Sequence, residues 1–401
     1  MRVILGVGGG IAAYKSCVLA SSLVKAGHDV YAVMTESATQ FVGPLTFRAL
    51  TGNPVGVYIA DEPMGPLSHV KLAHWAHALI VAPLTQDLLA RLSLGLSSDL
   101  LGLVFQGFSG PSLMAPAMES EMWFSPQTRN RLDELKTERE ITLVGPNTGR
   151  LASGLTGSGR MAEPEEIMEG LWMMLRPKTL QGRSVLITAG PTWEHFDPVR
   201  ILTNPSTGII GSLLARELSA RGAEVRVIHG PRVEEKPCPR VQYVGVVSAV
   251  EMLEAVRHYI DQVDTVIGAA AVSDFRPLHP CLQKQKKQHI DLNWAMKTNP
   301  DIMGEIGTKY RHSKVLIGFA AETDNVIVAA RDKLQRKHLD AIIANQVGTD
   351  SGFGEGQYKA AIIGSDDDAV DLHIMTKDQL ASQVADLLSV LKPKQGIQAD
   401  V

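Results

Sequence analysis

The sequence predicts an α/β protein of two three-layer units in tandem, and three observations carry this. Short apolar runs alternate with helix-length amphipathic stretches, the pattern of βαβ units whose parallel sheets are covered on both faces. The pattern starts twice: Val3–Val7 runs into Gly8-Gly9-Gly10, and Ser184–Ala189 runs into Gly190-Pro191. At 401 residues the chain is too long for one ordinary core and long enough for two or three.

In the first unit a helical pattern follows the glycines from Ile11 to Ala26 and closes at Gly27-His28. The next strand is Asp29–Met34. Right-handed crossover makes such a strand–helix–strand sheet parallel. The runs Ala78–Ala82, Ser112–Met114 and Ile141–Val144 read as further buried strands, and a helix follows Pro164, a good first-turn residue after Glu163. The stretch Arg176–Gly182 carries Pro, Gly and charge without periodicity, so the boundary falls there, with units at 1–178 and 179–401. The second unit continues with a helix over Gly208–Arg221 and strands at Glu224–His229, Thr265–Gly268, Val315–Phe319 and Ala341–Ala344. Tyr358–Gly364 and Val370–Ile374, around Asp366-Asp367-Asp368, read as a hairpin before a final helix at Lys377–Leu391.

Composition excludes several classes. A formal charge of −4 is wrong for an overall basic nucleic-acid binder. The 36 Gly and 21 Pro are spread along the chain, unlike collagen or low-complexity sequence. Cys17, Cys238 and Cys281 are too few and scattered for a disulfide framework or a zinc cluster, and fit a reducing compartment. No stretch approaches the ~20 apolar residues of a membrane span, and the N-terminus reads as a buried strand, not a secretory segment. The expectation is a cytoplasmic protein acting on small molecules, with neither nucleic acid nor membrane as partner.

Gly6-Val7-Gly8-Gly9-Gly10-Ile11 approaches a dinucleotide fingerprint, but Ile11 replaces the third glycine and no acidic residue ends the second strand. Lys15 is not preceded by glycine, so this is no P-loop. What remains is a glycine turn feeding a helix N-terminus, favourable for a phosphate and better suited to FMN than NAD. A plain tight turn is an equally good reading of the pattern. His69, at an expected helix start with Ser68 as cap, is by pattern alone more simply structural than catalytic. More informative is Thr188–Thr192 followed by Asp197-Pro-Val-Arg200 and Asn204-Pro-Ser-Thr-Gly208. This is a long polar loop at the carboxyl end of a first parallel strand, where open α/β sheets bind ligands. Arg200 can fork onto a carboxylate or phosphate, and Asn204 can orient an acyl oxygen. Lys284-Gln-Lys286-Lys287, together with Lys333 and Lys337 at helical spacing, supplies five ammonium groups suited to a triphosphate with its usual Mg²⁺. Taken alone, a basic run like Lys284–Lys287 is more often solvated surface.

These motifs stand in the order found in the bifunctional phosphopantothenoylcysteine decarboxylase / phosphopantothenate–cysteine ligase family of coenzyme A biosynthesis, which the chain resembles over essentially its whole length. In the second half the resemblance rests on Thr188–Thr192, Asp197–Arg200, Asn204, Ser206–Gly208, Ala270–Asp274, Lys284–Lys287, Asn299–Ile302, Gly318–Thr323, Lys333, Lys337 and Ala344-Asn345. It implies a Rossmann-like domain that uses CTP to activate the carboxylate of 4′-phosphopantothenate as an acyl-cytidylate, which the amine of cysteine then attacks. By resemblance Asn204 stabilises that intermediate, Lys284 supports its formation or turnover, and Arg200 holds substrate or intermediate. The nucleotide falls to Gly268, Ala269, Ala270, Asp274, Lys284, Pro300, Asp301, Ile302, Met303, Phe319, Lys333 and Lys337.

The first half resembles the flavodoxin-like, FMN-dependent cysteine decarboxylases in Gly9–Lys15, Met34–Ala38, Phe41–Phe47, His69, Ala82-Pro83 with Thr85, and Gly159–Met161. The resemblance implies that Gly9, Gly10, Ser37, Pro83 and Thr85 hold FMN, that FMN oxidises the substrate thiol so that carbon dioxide leaves, and that His69 assists. Two catalytic positions depart from the family. Its Pro-Ala-Met-Asn motif reads Pro116-Ala117-Met118-Glu119, and its Ala-Cys-Gly motif, whose cysteine reprotonates the enethiol, reads Ala152-Ser153-Gly154. Two readings follow: a bifunctional enzyme with a decarboxylase site rebuilt around Glu119 and Ser153, or a ligase carrying an impaired FMN-binding scaffold. A third, an electron carrier with neither chemistry, is disfavoured by the ligase motifs. The family further implies a homo-oligomer, trimeric through the flavin half and dimeric through the ligase half.

Overall fold

The computed structural model describes residues 1–61, 63–236, 238–286, 294–348, 358–364 and 371–394. Contacts divide the chain into two compact units, Met1–Arg176 and Pro177–Val401.

The first unit is a parallel sheet of β1 (Arg2–Val7), β2 (Asp29–Met34), β3 (Ala78–Leu84), β4 (Ser112–Pro116) and β5 (Ile141–Leu143), in the order β2-β1-β3-β4-β5. Alternate side chains of β1 feed opposite layers. Val3, Leu5 and Val7 pack with Leu19, Leu23, Ile167 and Leu171 of the helices Ala13–Lys25 and Pro164–Met174. Ile4 belongs to the other layer, with Leu88, Leu92, Val104, Phe105 and Leu132. Burial on both faces is why these strands read as continuous apolar runs rather than alternating ones. The helix after Pro164 begins with a full capping box between Glu163 and Glu166. A hairpin of β6 (Asn147–Arg150) and β7 (Thr156–Arg160) lies outside the sheet. Its polar, glycine-containing strands carry no apolar pattern, so periodicity did not reveal it.

The second unit is an eight-stranded sheet. Its parallel part contains β8 (Ser184–Ala189), β11 (Glu224–His229), β12 (Val241–Gly245), β13 (Thr265–Gly268), β16 (Val315–Glu322) and β17 (Ala341–Gln346). Antiparallel β18 (Tyr358–Gly364) and β19 (His373–Met375) complete one edge. The order is β12-β11-β8-β13-β16-β17-β18-β19, so the parallel strands follow the doubly wound dinucleotide-fold order with its reversal between β8 and β13. Two short ribbons stand beside it: β9 (Glu194–His195) with β10 (Ile201–Leu202), and β14 (Phe275–Pro277) with β15 (Met296–Thr298). Val185 and Ile187 face the helices Ile209–Ala220 and Lys377–Val390, while Leu186 faces the opposite layer with Met252, Val256, Ile302 and Ile306.

One local expectation changes. Ser68 is the first residue of the helix Ser68–Trp75, not its cap; Leu67 holds the cap position at φ 60°. The Ser68 hydroxyl instead donates to the Gly65 carbonyl (2.6 Å) and accepts from the Met64 N–H (3.1 Å). The second hairpin strand covers His373–Met375, and Val370 and Asp366–Asp368 lie outside the described residues, as does Lys287. Among the described residues no helix is long and apolar enough to cross a membrane.

Candidate functional site

In the first unit the sheet order places a crevice where strand order reverses, at the carboxyl ends of β1 and β3. Three turns converge there. A Cβ on Gly9 would stand 2.1 Å from Ser37 Oγ in the turn after β2, so only glycine lets the two backbones approach. A Cβ on Gly10 would meet Thr85 Cγ2 at 3.3 Å, in the turn after β3, and the Gly8 N–H donates to the Pro83 carbonyl at 3.2 Å. Thr85 caps the helix Gln86–Ser93, and the Ser37 and Thr35 hydroxyls are 3.1 Å apart. The helix Ala13–Lys25 that leaves this turn has no side-chain cap at Ala12; the Gly10 and Ala12 carbonyls hold the Ala13 and Lys15 N–H groups at 2.9 and 3.0 Å, and the positive end of the helix dipole favours an anion there. Lys15 takes no part: its ammonium is buried against the Met161 carbonyl (3.0 Å) and Glu163 Oε1 (2.8 Å). The donor set fits a phosphate such as that of FMN, and Gly9, Gly10, Ser37, Pro83 and Thr85 are drawn into one cradle.

The two departing residues also meet. Glu119 lies just beyond β4 at the same sheet edge, where the Ala117 N–H donates to the Leu84 carbonyl at 3.0 Å. The β6–β7 hairpin docks there through the Met118 N–H to the Gly159 carbonyl (3.0 Å), and the Ser153 hydroxyl at its tip donates to Glu119 Oε2 at 3.0 Å. His69 sits in the first turn of its helix, and among the described residues no hydrogen bond joins it to either.

In the second unit a cleft of about 690 Å³ opens at the carboxyl edge of the sheet, spanning the β8/β13 reversal. Asn204, Gly268, Ala269, Ala270, Asp274, Pro300, Asp301, Ile302, Met303, Phe319, Lys333 and Lys337 all line it. The Asn204 amide nitrogen donates to the Ala271 and Val272 carbonyls at 3.2 and 3.1 Å, tying the loop after β8 to the loop after β13. A Cβ on Gly268 would lie 2.6 Å from the Met303 side chain, which packs the helix start Ile302–Tyr310 against the turn. The Asn299 amide bonds the Ser273 carbonyl at 2.8 Å and holds that start against the turn.

The cleft's ammonium groups are paired. Lys337 Nζ is 2.7 Å from Asp301 Oδ1, and Lys333 pairs with Glu322. Burial pushes the Asp301 carboxyl up, yet the Lys337 ammonium and the Gly304 N–H outweigh this and hold it below the ordinary carboxylate value. Lys284 and Arg200 are not among the lining residues. Lys284 is exposed, and Arg200 turns its Nη1 onto Asp197 and, at 3.2 Å, the Gln285 carbonyl. Among the described residues no three His, Cys, Asp or Glu side chains gather to hold a metal. Two exposed carboxylates, Asp274 and Asp301, line the cleft, and Lys337 engages the second.

The cleft also contains residues absent from the sequence-based set of site residues. Asn345, the penultimate residue of β17, is almost fully buried, and its Oδ1 has no hydrogen-bond partner among the described residues. Tyr358 and Lys377 stand beside it. Burial pushes the Tyr358 phenol up, against a hydrogen bond with Asn345 that lowers it. The capping-box pattern Thr376-Lys-Asp-Gln379 was the available signal that a helix N-terminus, and with it Lys377, stood at this edge.

Residues 1–176 match the Flavoprotein family, and residues 180–391 match the DNA/pantothenate metabolism flavoprotein C-terminal domain. The chain is 42% identical to the coenzyme A biosynthesis bifunctional protein CoaBC of Haemophilus influenzae, over 86% of each chain. It is 38% identical to that of Bacillus subtilis, over 98% of each. A crystal structure of the C-terminal domain of a CoaBC protein is 34% identical and covers 53% of this chain and 96% of its own, with a TM-score of 0.45. With both domain families matched in this order and the relatives matched over most of their length, the chain belongs to the family of coenzyme A biosynthesis bifunctional proteins CoaBC.

Proposed function

We propose that the second unit joins 4′-phosphopantothenate to cysteine at the expense of CTP, and that the first then decarboxylates 4′-phosphopantothenoylcysteine to 4′-phosphopantetheine with FMN. The observation that carries the ligase half is the single cleft that gathers the nucleotide residues from Gly268 to Lys337 with Asn204 at the β8/β13 reversal. Lys333 and Lys337 exchange their carboxylate partners for phosphate oxygens, with Mg²⁺ balancing the remaining charge. The Gly268–Ala270 turn is held in place by the Ala269 N–H on the Thr188 carbonyl (3.0 Å), and the start of the helix Ile302–Tyr310 turns its positive end toward the same cleft. Asn204 orients the acyl oxygen with an amide N–H released from the Ala271 or Val272 carbonyl, and Lys284 stabilises the charge that develops at phosphorus and then at the carbonyl. Arg200 contributes to holding substrate through whatever of its guanidinium Asp197 leaves available.

In the first unit Gly9, Gly10, Ser37, Pro83 and Thr85 hold FMN, which when bound accepts the electron pair of the substrate thiol. His69 assists at the substrate, and Ser153 occupies the place of the proton donor. The Glu119–Ser153 hydrogen bond favours a second reading, in which this half binds FMN but turns over poorly. The compartment in this reading is the cytoplasm, and the assembly is a homo-oligomer, trimeric through the flavin half and dimeric through the ligase half.

Incubating the purified protein with 4′-phosphopantothenate, cysteine and CTP, and following pyrophosphate, amide product and carbon dioxide separately, tests both halves. Pyrophosphate and amide without carbon dioxide select the second reading. Absence of pyrophosphate refutes the ligase assignment.

A further inference from the structure

Asp197 follows β9 in the long loop after β8 and has no exposed surface, yet it is not among the residues that line the cleft. Its Oδ1 accepts from the N–H groups of Val199 (2.8 Å) and Arg200 (2.9 Å). Its Oδ2 accepts from Arg200 Nη1 and from the Gln285 N–H at 3.2 Å. Arg200 Nη1 donates in turn to the Gln285 carbonyl at 3.2 Å. The opposite charges of one ion pair thus grip the N–H and the C=O of the residue next to Lys284. A few residues earlier the Cys281 N–H donates to the Phe196 carbonyl at 2.8 Å, so the segment 281–285 is tied at both ends to the loop 196–200.

We propose that the Asp197–Arg200 pair is a positioning clamp for Lys284. It fixes the backbone beside that lysine so that its ammonium reaches the acyl-transfer site, and Arg200 serves the reaction through this grip. The proposal rests on the ligase reading of the second unit. A lysine has a flexible four-carbon stem and brings no geometry of its own, so its placement depends on the backbone that carries it. Displacement of a reacting group by about 1 Å can cost about 10²-fold in rate. A buried carboxylate satisfied by three backbone N–H groups and a guanidinium is well suited to prevent such displacement. Asp197 touches no reacting atom in this scheme, and Arg200 Nη1, held by Asp197 and Gln285, acts on Lys284 by position, whatever its other nitrogens contribute to holding substrate.

The test is a double-mutant cycle in the full chain, read as pyrophosphate release from CTP and 4′-phosphopantothenate. Asp197→Asn should lower kcat about 10²-fold, with little change in KM for CTP, and should speed hydrogen exchange at the Gln285 amide. In a Lys284→Ala background the same substitution should cost little, because nothing remains to be positioned. Should Asp197→Asn fail to fold, Gln285→Pro, which deletes the N–H that Asp197 holds, takes its place with the same expected pattern. Equal losses in both backgrounds, or no loss in either, overturn the clamp while leaving the ligase reading intact. A parent protein that releases no pyrophosphate overturns the ligase reading and the clamp with it.

Discussion

The hydrogen bond between Ser153 and Glu119 concentrates the difference between this chain and its family's decarboxylase motifs, and replacing both residues separates two effects. Glu119 brings an anion to a site whose substrate carries a carboxylate. Two such charges at ~4 Å repel by about 4 kcal/mol at an effective dielectric of 20 and by about 1 kcal/mol in water. Because Glu119 is only half-buried, an intermediate value of about 2 kcal/mol applies, roughly 30-fold in affinity. Ser153 already directs its proton to Glu119 at 3.0 Å, and a hydroxyl is a far weaker acid than a thiol of reference pKa ~8.5. A positioned general acid contributes about 10²–10⁴-fold to its step. Glu119→Asn should therefore tighten binding of 4′-phosphopantothenoylcysteine about 30-fold, read by calorimetry on FMN-loaded protein, and raise carbon dioxide release without a matching gain in saturated product. Adding Ser153→Cys should restore 4′-phosphopantetheine formation, whereas Ser153→Cys alone should do less, since the charge still opposes binding. If the unmodified protein makes 4′-phosphopantetheine at the double variant's rate, or if Glu119→Asn leaves affinity unchanged, the reasoning fails.

Two further outcomes follow from charge placement in the second unit. Asp301 titrates below its ordinary value because Lys337 and the Gly304 N–H outweigh its burial, so its stabilising contribution is complete above the unfolded value and is lost as pH falls through the lower folded one. Lys337→Met should raise the Asp301 titration seen by carbon NMR and move acid unfolding to higher pH; an unchanged titration contradicts the pairing. Arg221 is buried, with Nε 2.8 Å from the buried Glu217 and Nη2 2.8 Å from the Ser382 hydroxyl, and also pairs with the more exposed Asp386. Arg221→Met should cost about 3–5 kcal/mol in denaturant unfolding of the second unit by removing the guanidinium paired with the buried Glu217, and a loss below about 1 kcal/mol speaks against that view.

How much was legible in the sequence follows from what each signal depends on. Strands such as Arg2–Val7, Ala78–Leu84 and Ser184–Ala189 were readable because burial on both faces writes an unbroken apolar run, and helices such as Pro164–Met174 because caps and spacing are local. The polar hairpin Asn147–Arg160 and the ribbons around Glu194 and Phe275 left no such trace, since their partners come from turns and docking rather than from a buried face. The same division holds for the sites. Glycine at positions 9 and 10, the loop motifs Asp197–Arg200 and Asn204, and the lysines at 333 and 337 were visible as residue types in order, because backbone approach and charge demand those types. That Gly9 meets Ser37, that Ser153 bonds Glu119, and that Arg200 turns its Nη1 onto Asp197 and Gln285 was decided only by the tertiary structure. Those partners lie 28, 34, 3 and 85 residues apart in the chain, and apart from the nearest pair only sheet order and loop docking bring them together. Residue types announce which chemistry a chain is equipped for. Which of its charges stay available to a ligand depends on the neighbours the fold supplies, because a guanidinium or hydroxyl takes whichever partner is held within hydrogen-bond reach.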